Sequence, residues 1–149
     1  MWQLARQSET LDLNSSYAYM LYCRDYPLTC RVATAGETVA GFVLGNIPPE
    51  RPNVLFVWQI AVSPRHQGIG LASQMLDHII DELSDDVDTV ETTITDDNTA
   101  SQRLFRSLAA RWGDATVRKR PLFEESHFPD QHDAEPLYEI GPLGPRDSV

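Results

Sequence analysis

The sequence is poor in cysteine and in basic residues, and it has no long apolar run. Two cysteines, Cys23 and Cys30, are too few for a disulfide framework, and their spacing matches neither a zinc motif nor a dithiol redox motif. They read as reduced, partly buried thiols of a reducing compartment. No stretch approaches the roughly 20 apolar residues of a membrane-spanning helix. Met1-Trp2-Gln3-Leu4-Ala5-Arg6 has no apolar h-region, so no signal peptide is expected and a cytoplasmic location is. Lys and Arg total 12 against 22 Asp and Glu, for a net charge of −10. That balance argues against nucleic-acid binding, which depends on clustered cations. It suits a small cationic substrate, and it equally suits solubility.

The 149 residues, 42% hydrophobic and 23% charged, are enough for one domain with a core and too few for two. A single domain over 1–149 is expected, with 142–149 as a frayed tail. Trp2 to Ser8 reads as a short helix. Asn14 or Ser15 could cap a second helix through Tyr17, Met20, Leu21 and Arg24, stopped by Pro27. Arg31–Thr34 and Thr38–Leu44 read as strands joined by the Ala35-Gly36-Glu37 turn. Val54 to Val62 is an almost unbroken apolar run, as in a central strand buried on both faces. A helix follows with Leu71, Met75, Leu76, Ile79, Ile80 and Leu83 on one stripe. Val87 to Thr95 reads as a strand. Asp97 or Asn98 caps a helix that turns Leu104, Phe105, Leu108 and Ala109 inward and ends at Gly113. Weaker strand signals lie at 115–117 and 137–140. The class is a mixed α/β fold.

The most informative stretch runs from the apolar strand through Arg65-x-x-Gly68-x-Gly70 into the next helix. A helix start offers unpaired N–H groups and the positive end of its dipole. Glycines lack the Cβ that would keep a pyrophosphate away, and Arg65 adds a planar donor fork. A P-loop would need Gly-Lys-Ser/Thr where Leu71-Ala72 stands, and a dinucleotide fingerprint would need a third glycine where Ser73 stands. A plain strand-to-helix turn is the competing explanation.

Arg65, Gly68 and Gly70 after a buried strand, and Asn98 at a later helix start, resemble the GNAT N-acetyltransferase superfamily. The resemblance implies a central splayed mixed sheet flanked by helices, with acetyl-CoA held between two diverging strands. It implies a backbone N–H near Ile60 to Val62 for the thioester carbonyl. The pyrophosphate would rest on the turn from Arg65 through Gln67, Gly68, Ile69, Gly70, Leu71 and Ala72, with Asn98 and Ser101 facing the rest of the cofactor. Asn98 reads equally as an ordinary helix cap. Many relatives carry a Tyr that protonates the departing thiolate, and Phe105 stands at that position, so this role is excluded here. The superfamily also opens with a strand, and this sequence opens with a helix, which leaves one sheet edge open.

Four further stretches closely resemble the L-2,4-diaminobutyrate acetyltransferases of ectoine biosynthesis. They are Leu11–Tyr19, Leu55–Gln59, Glu91–Thr95 and His132–Glu135. This implies a homodimer without metal that acetylates the γ-amine of a diamino acid. By position, Asp12 and Tyr17 would grip the substrate, Trp58 would wall the pocket with a cation–π face, and Glu135 would act as base or water-holder, assisted by His132. A water relay is the alternative to a side-chain base. Asp12 also reads as a turn cap, and Trp58 as core. One of Tyr17 and Tyr19 must be packing, because they lie on different helix faces. Glu91 reads as a solvated strand residue or a partner of Arg103. Transfer to another amine, such as a polyamine or a protein N-terminus, and acyl-CoA binding without catalysis are the other readings.

Overall fold

The computed structural model describes residues 1–8 and 11–146. The helix α1, Trp2–Gln7, buries Leu4 and Ala5. The helix α2, Ser16–Asp25, begins where the Ser15 side chain accepts the Ala18 N–H, and it ends two residues before Pro27. Strands β1, Arg31–Ala35, and β2, Thr38–Asn46, form an antiparallel hairpin whose turn is made by Gly36 at φ 62°. Then follow β3, Val54–Val62; α3, Leu71–Leu83; β4, Thr89–Thr93; α4, Thr99–Arg111; β5, Thr116–Phe123; and β6, Glu135–Gly141. The strand order in the sheet is β1-β2-β3-β4-β6-β5, and β3 with β4 is the parallel pair.

Two apolar clusters cover the sheet. On one face, Leu76, Ile79 and Ile80 of α3 and Phe105 and Leu108 of α4 pack on Val43, Leu55, Val57 and Val90. Burial of each such side chain contributes about 1.5–3 kcal/mol. On the other face, Leu4, Ala5 and Tyr19 from α1 and α2 pack on Phe42, Leu44 and Ala61. Helix α3 is tied to the end of α4 by a buried carboxylate. Asp77 accepts from Arg111 Nε and Nη2 at 3.0 and 2.9 Å and from Trp112 Nε1 at 3.0 Å.

Three sequence expectations change. Glu91 is only 3% exposed and pairs with Arg51 at 2.5 Å and Arg120 at 3.7 Å, not with Arg103. Its position on β4 faces it away from α3, under arginines that arrive from the loop before β3 and from β5. The segment expected to fray is held as far as Arg146. The Leu143 N–H donates to Asp88 O at 2.7 Å, the Gly144 N–H donates to Trp112 O at 3.0 Å, and Arg146 pairs with Asp81 at 2.7 Å. Residues 147–149 of that expected tail lie outside the described residues. The weak strand signal at 115–117 is a full strand, with Arg118 and Arg120 answering Glu139 of β6.

Candidate active site

The site begins with a break in the sheet. β3 and β4 pair from Val54↔Thr89 to Val57↔Thr92, and the register stops there although β3 runs on to Val62. At that point β3 also bulges. Leu44 faces Gln59 and Gly45 faces Val57, so Trp58 has no partner on β2. An extra residue in one strand bends it and re-aims the side chains that follow. The two parallel strands thus diverge at Trp58.

The divergence frees backbone. The Ser63 N–H donates to Ala40 O at 2.8 Å. Bonding alternates along an antiparallel pair, so with Val43↔Ile60 and Gly41↔Val62 in register, the N–H groups of Ile60 and Val62 point away from β2. They point to the side that β4 has left.

Below this gap the chain turns into α3. A single 3-10 turn, Pro64–His66, leads to Gly68 and Gly70, both at φ 78°. A Cβ built on Gly68 would meet nothing within 4 Å, and one on Gly70 only the Gln74 amide at 3.8 Å. Side-chain bulk is therefore not excluded by the protein's own packing, and the left-handed backbone is what calls for glycine. No side chain caps α3 and no acidic residue stands in its first turn. The unpaired N–H groups at this start are open to an anion, with Arg65 and Ile69 exposed beside them.

A cavity of about 410 Å³ fills the gap. Val57, Trp58, Gln59 and Ile60 line it from β3, and Asn98, Ser101 and Phe105 from α4. Leu11, Asp12, His132 and Glu135 close its far end. Asn98 caps α4 through the Ser101 N–H at 3.0 Å, so the capping role is real and leaves both residues on the cavity wall. Trp58 is braced from behind by Tyr22, with ring centroids 4.8 Å apart and 29° between planes.

The titratable end of the cavity is one cluster. His132 Nδ1 lies 2.7 Å from Asp133 O, and its Nε2 lies 2.9 Å from Asp12 Oδ2 and 3.9 Å from Glu135. Both ring nitrogens face acceptors, so both must carry protons and the ring is an imidazolium. The Asp133 carbonyl first, and the Asp12 carboxylate second, hold its pKa up at about 9. Phe128 stacks on the ring at 4.2 Å. Glu135 is raised by burial, against a Thr93 hydrogen bond and the His132 charge. A carboxylate shifted that way is a stronger base than one in water. Ligand atoms of Asp12, His132 and Glu135 lie within 4.8 Å of one another. A cation there would have to displace the proton that His132 shares with Asp12, which makes this donor set better suited to an ammonium on its carboxylates than to a metal.

The structure brings Asp12, Trp58, Ile60, Asn98, Ser101, His132 and Glu135 to one cavity. Val62 ends β3, and Arg65, Gln67, Gly68, Ile69, Gly70, Leu71 and Ala72 form the turn and helix start that follow it. Tyr17 is not brought there. It is 66% exposed near the start of α2, while Tyr19, 3% exposed, is the packed member of the pair, against Phe42. Gln59 was missed. A glutamine inside an otherwise apolar strand is the signal that could have found it.

Several known proteins resemble this chain. The model of the acetyltransferase (GNAT) family matches residues 1–109. An L-2,4-diaminobutyric acid acetyltransferase of Streptomyces avermitilis is 50% identical over 96% of this chain and 82% of its own length. One from Chromohalobacter salexigens is 38% identical over 98% of this chain and 77% of its own length. The solved diaminobutyrate acetyltransferase of Paenibacillus lautus, in complex with its substrate L-2,4-diaminobutyric acid and coenzyme A, matches with a TM-score of 0.90. It is 35% identical, over 99% of this chain and 90% of that one.

Proposed function

The chain belongs to the acetyltransferase (GNAT) family, and from that premise we propose that it transfers an acetyl group from acetyl-CoA to the γ-amine of L-2,4-diaminobutyrate, the step that precedes ring closure to ectoine. The observation that carries the reading is the single cavity where β3 and β4 part. It joins free strand N–H groups to a carboxylate cluster suited to an ammonium.

Asp12 spends Oδ2 on His132, which leaves a second carboxylate oxygen to face the substrate's cationic end. Trp58 offers an aromatic wall to the same cation. Transfer requires a neutral nitrogen, and Glu135, directly or through one water, takes the proton from the γ-ammonium. The freed lone pair forms the new C–N bond at the thioester carbonyl. The Ile60 and Val62 N–H groups receive the charge that builds on the carbonyl oxygen. The C–S bond then breaks and sulfur leaves as thiolate. Phe105 has no proton to give it, and a thiolate is stable enough to leave unprotonated. The remaining extra proton on nitrogen goes to solvent. The Arg65–Ala72 turn holds the pyrophosphate and thereby fixes the thioester against the amine.

The homodimer belongs to the same proposal. Supporting it are exposed apolar side chains on and beside α2, with Tyr17 at 66%, Met20 at 70% and Leu28 at 66%. If this face is the interface, Tyr17 meets substrate only from there. A single domain over 1–149 and a cytoplasmic location complete the reading. The two free thiols, and the lack of any helix among the described residues long and apolar enough to cross a membrane, are in keeping with that location.

Thiol release from acetyl-CoA tests the proposal, with L-2,4-diaminobutyrate run beside ornithine, lysine and a polyamine. A clear preference for diaminobutyrate supports it. Equal release with the other amines, or none with any, overturns it.

A further inference from the structure

We propose that Gln59, locked by Tyr19, is the positioning residue of the acceptor end: its amide sets the height of the loop that carries Asp12, and so sets where the substrate's ammonium is held. The inference rests on the reading of Asp12 as an amine-binding residue. Gln59 is 4% exposed and lies in a strand whose other members are apolar. A buried primary amide is costly unless it is bonded. Here both ends are used, and neither bond is local. Tyr19 Oη donates to Gln59 Oε1 at 2.8 Å from 40 residues away, and Gln59 Nε2 donates to Asp12 O at 2.8 Å from 47 residues away.

The loop needs such a hold. The Asp12 side chain is 77% exposed, and its one ion pair among the described residues is with His132, itself on a loop. Its carbonyl also receives Asn14 Nδ2, at a longer 3.4 Å, and the neighbouring Asn14 O receives Trp2 Nε1 at 3.2 Å. Of these, the Gln59 amide is the short bond that ties Asp12 directly to the sheet. The chemistry calls for glutamine. Tyr19 needs an acceptor and the Asp12 carbonyl needs a donor, and a primary amide supplies both, on separate atoms at the end of one side chain. A glutamate would set acceptors against the carbonyl, and a leucine would leave the Tyr19 hydroxyl proton without this acceptor and the Asp12 carbonyl with only the longer Asn14 bond.

The placement follows from the bulge. Trp58 is the unpaired residue and Gln59 pairs with Leu44, so both line the cavity and both reach α2, Trp58 through the Tyr22 ring and Gln59 through the Tyr19 hydroxyl. One irregularity thus sets both the aromatic wall and the prop under the carboxylate. The groups facing His132 are the Asp12 carboxylate, the Glu135 carboxylate, the Asp133 carbonyl and the Phe128 ring. Of these, only Asp12 stands on the propped loop, so the titration of His132 reports whether that loop is in place.

The test uses the Gln59→Leu and Tyr19→Phe variants of the full chain. The readouts are KM for diaminobutyrate, calorimetric affinity for acetyl-CoA, and an NMR titration of the His132 C2–H signal without substrate. For Gln59→Leu the expected result is a KM for diaminobutyrate raised about tenfold or more, as for a group moved out of reach, with acetyl-CoA affinity unchanged. The His132 midpoint should fall below about 9 as the Asp12 carboxylate drifts, with the Asp133 carbonyl, the larger cause, still holding it above the ordinary 6.5. Tyr19→Phe keeps the ring against Phe42 and should shift both readouts in the same direction by less. It remains decisive if the leucine variant does not fold. A double variant should be no worse than Gln59→Leu alone. An unmoved His132 titration and unmoved KM, or equal loss for both substrates, overturns the inference. Because the titration needs no substrate, a failure of the diaminobutyrate assignment would leave it readable.

Discussion

In the proposed reaction the working groups on the thioester side of the cavity are backbone. They are the N–H groups of Ile60 and Val62, released where β3 leaves β4, and those at the uncapped start of α3, approached across Gly68 and Gly70. On the acceptor side they are side chains. Asp12 and His132 meet at 2.9 Å across 120 residues of sequence, with Glu135 beside them and Gln59 beneath. A backbone site needs only a local path, so any side chains that keep the path will serve. A side-chain site needs several distant segments to arrive together, and its chemistry belongs to the particular residues. On the proposed reading the first half of the cavity is therefore generic to acyl transfer, and the second selects the amine.

If the division holds, the two halves can be damaged separately. The largest effect should come from Glu135→Gln, with turnover falling about 100-fold or more for loss of a general base, while acetyl-CoA binds by calorimetry as before. Parallel loss of cofactor binding would break the division. Next is the frame under both halves. Asp77→Ala strands the Arg111 guanidinium and the Trp112 N–H, and should cost about 2–4 kcal/mol in chemical denaturation, with turnover of the folded enzyme unchanged. On the cofactor side, Gly68→Val forces a β-branched residue to φ 78°. Strain of about 1–2 kcal/mol predicts roughly tenfold weaker acetyl-CoA binding. The amine-side His132 titration should not change, and an altered midpoint would mean the halves are coupled.

The smallest effect is the pH dependence of stability. The folded pKa of His132 lies above its ordinary 6.5, at about 9. Its contribution is therefore complete below pH 6.5 and is lost as pH rises through 9. The advantage of the native chain over His132→Gln in thermal unfolding should shrink between those two values. An advantage that is constant across that window would mean the imidazolium is not what binds the Asp12 loop.

The same division explains what could be read in the sequence. The Arg65–Gly70 turn and the Asn98 cap each lie in one short stretch with its own physical reason, so the left-handed glycine turn and the helix cap were legible from local spacing, while their proposed cofactor roles came from resemblance. The alternation of the hairpin and the stripe of α3 made most of the sheet and its covering helix legible too. Asp12, His132 and Glu135 have no spacing rule to unite them, and they were reached only by resemblance. One of Tyr17 and Tyr19 had to pack, and the helix phase around Ser15 makes it Tyr19, which turns inward. The burial of Glu91 was hidden because its arginines come from the loop before β3 and from β5, segments that sequence separates. The hold on residues 142–146 was hidden for a similar reason, since their partners are Asp88, Trp112 and Asp81.

The most direct measurement is the position of the acetyl group on the product. Two-dimensional NMR of the diaminobutyrate turned over by the enzyme distinguishes the α-amide from the γ-amide. If Asp12, Trp58 and Glu135 present one amine to the thioester, the product is the γ-acetyl compound alone. A mixture of α- and γ-acetyl products would show that the acceptor end does not orient its substrate, and would contradict the account.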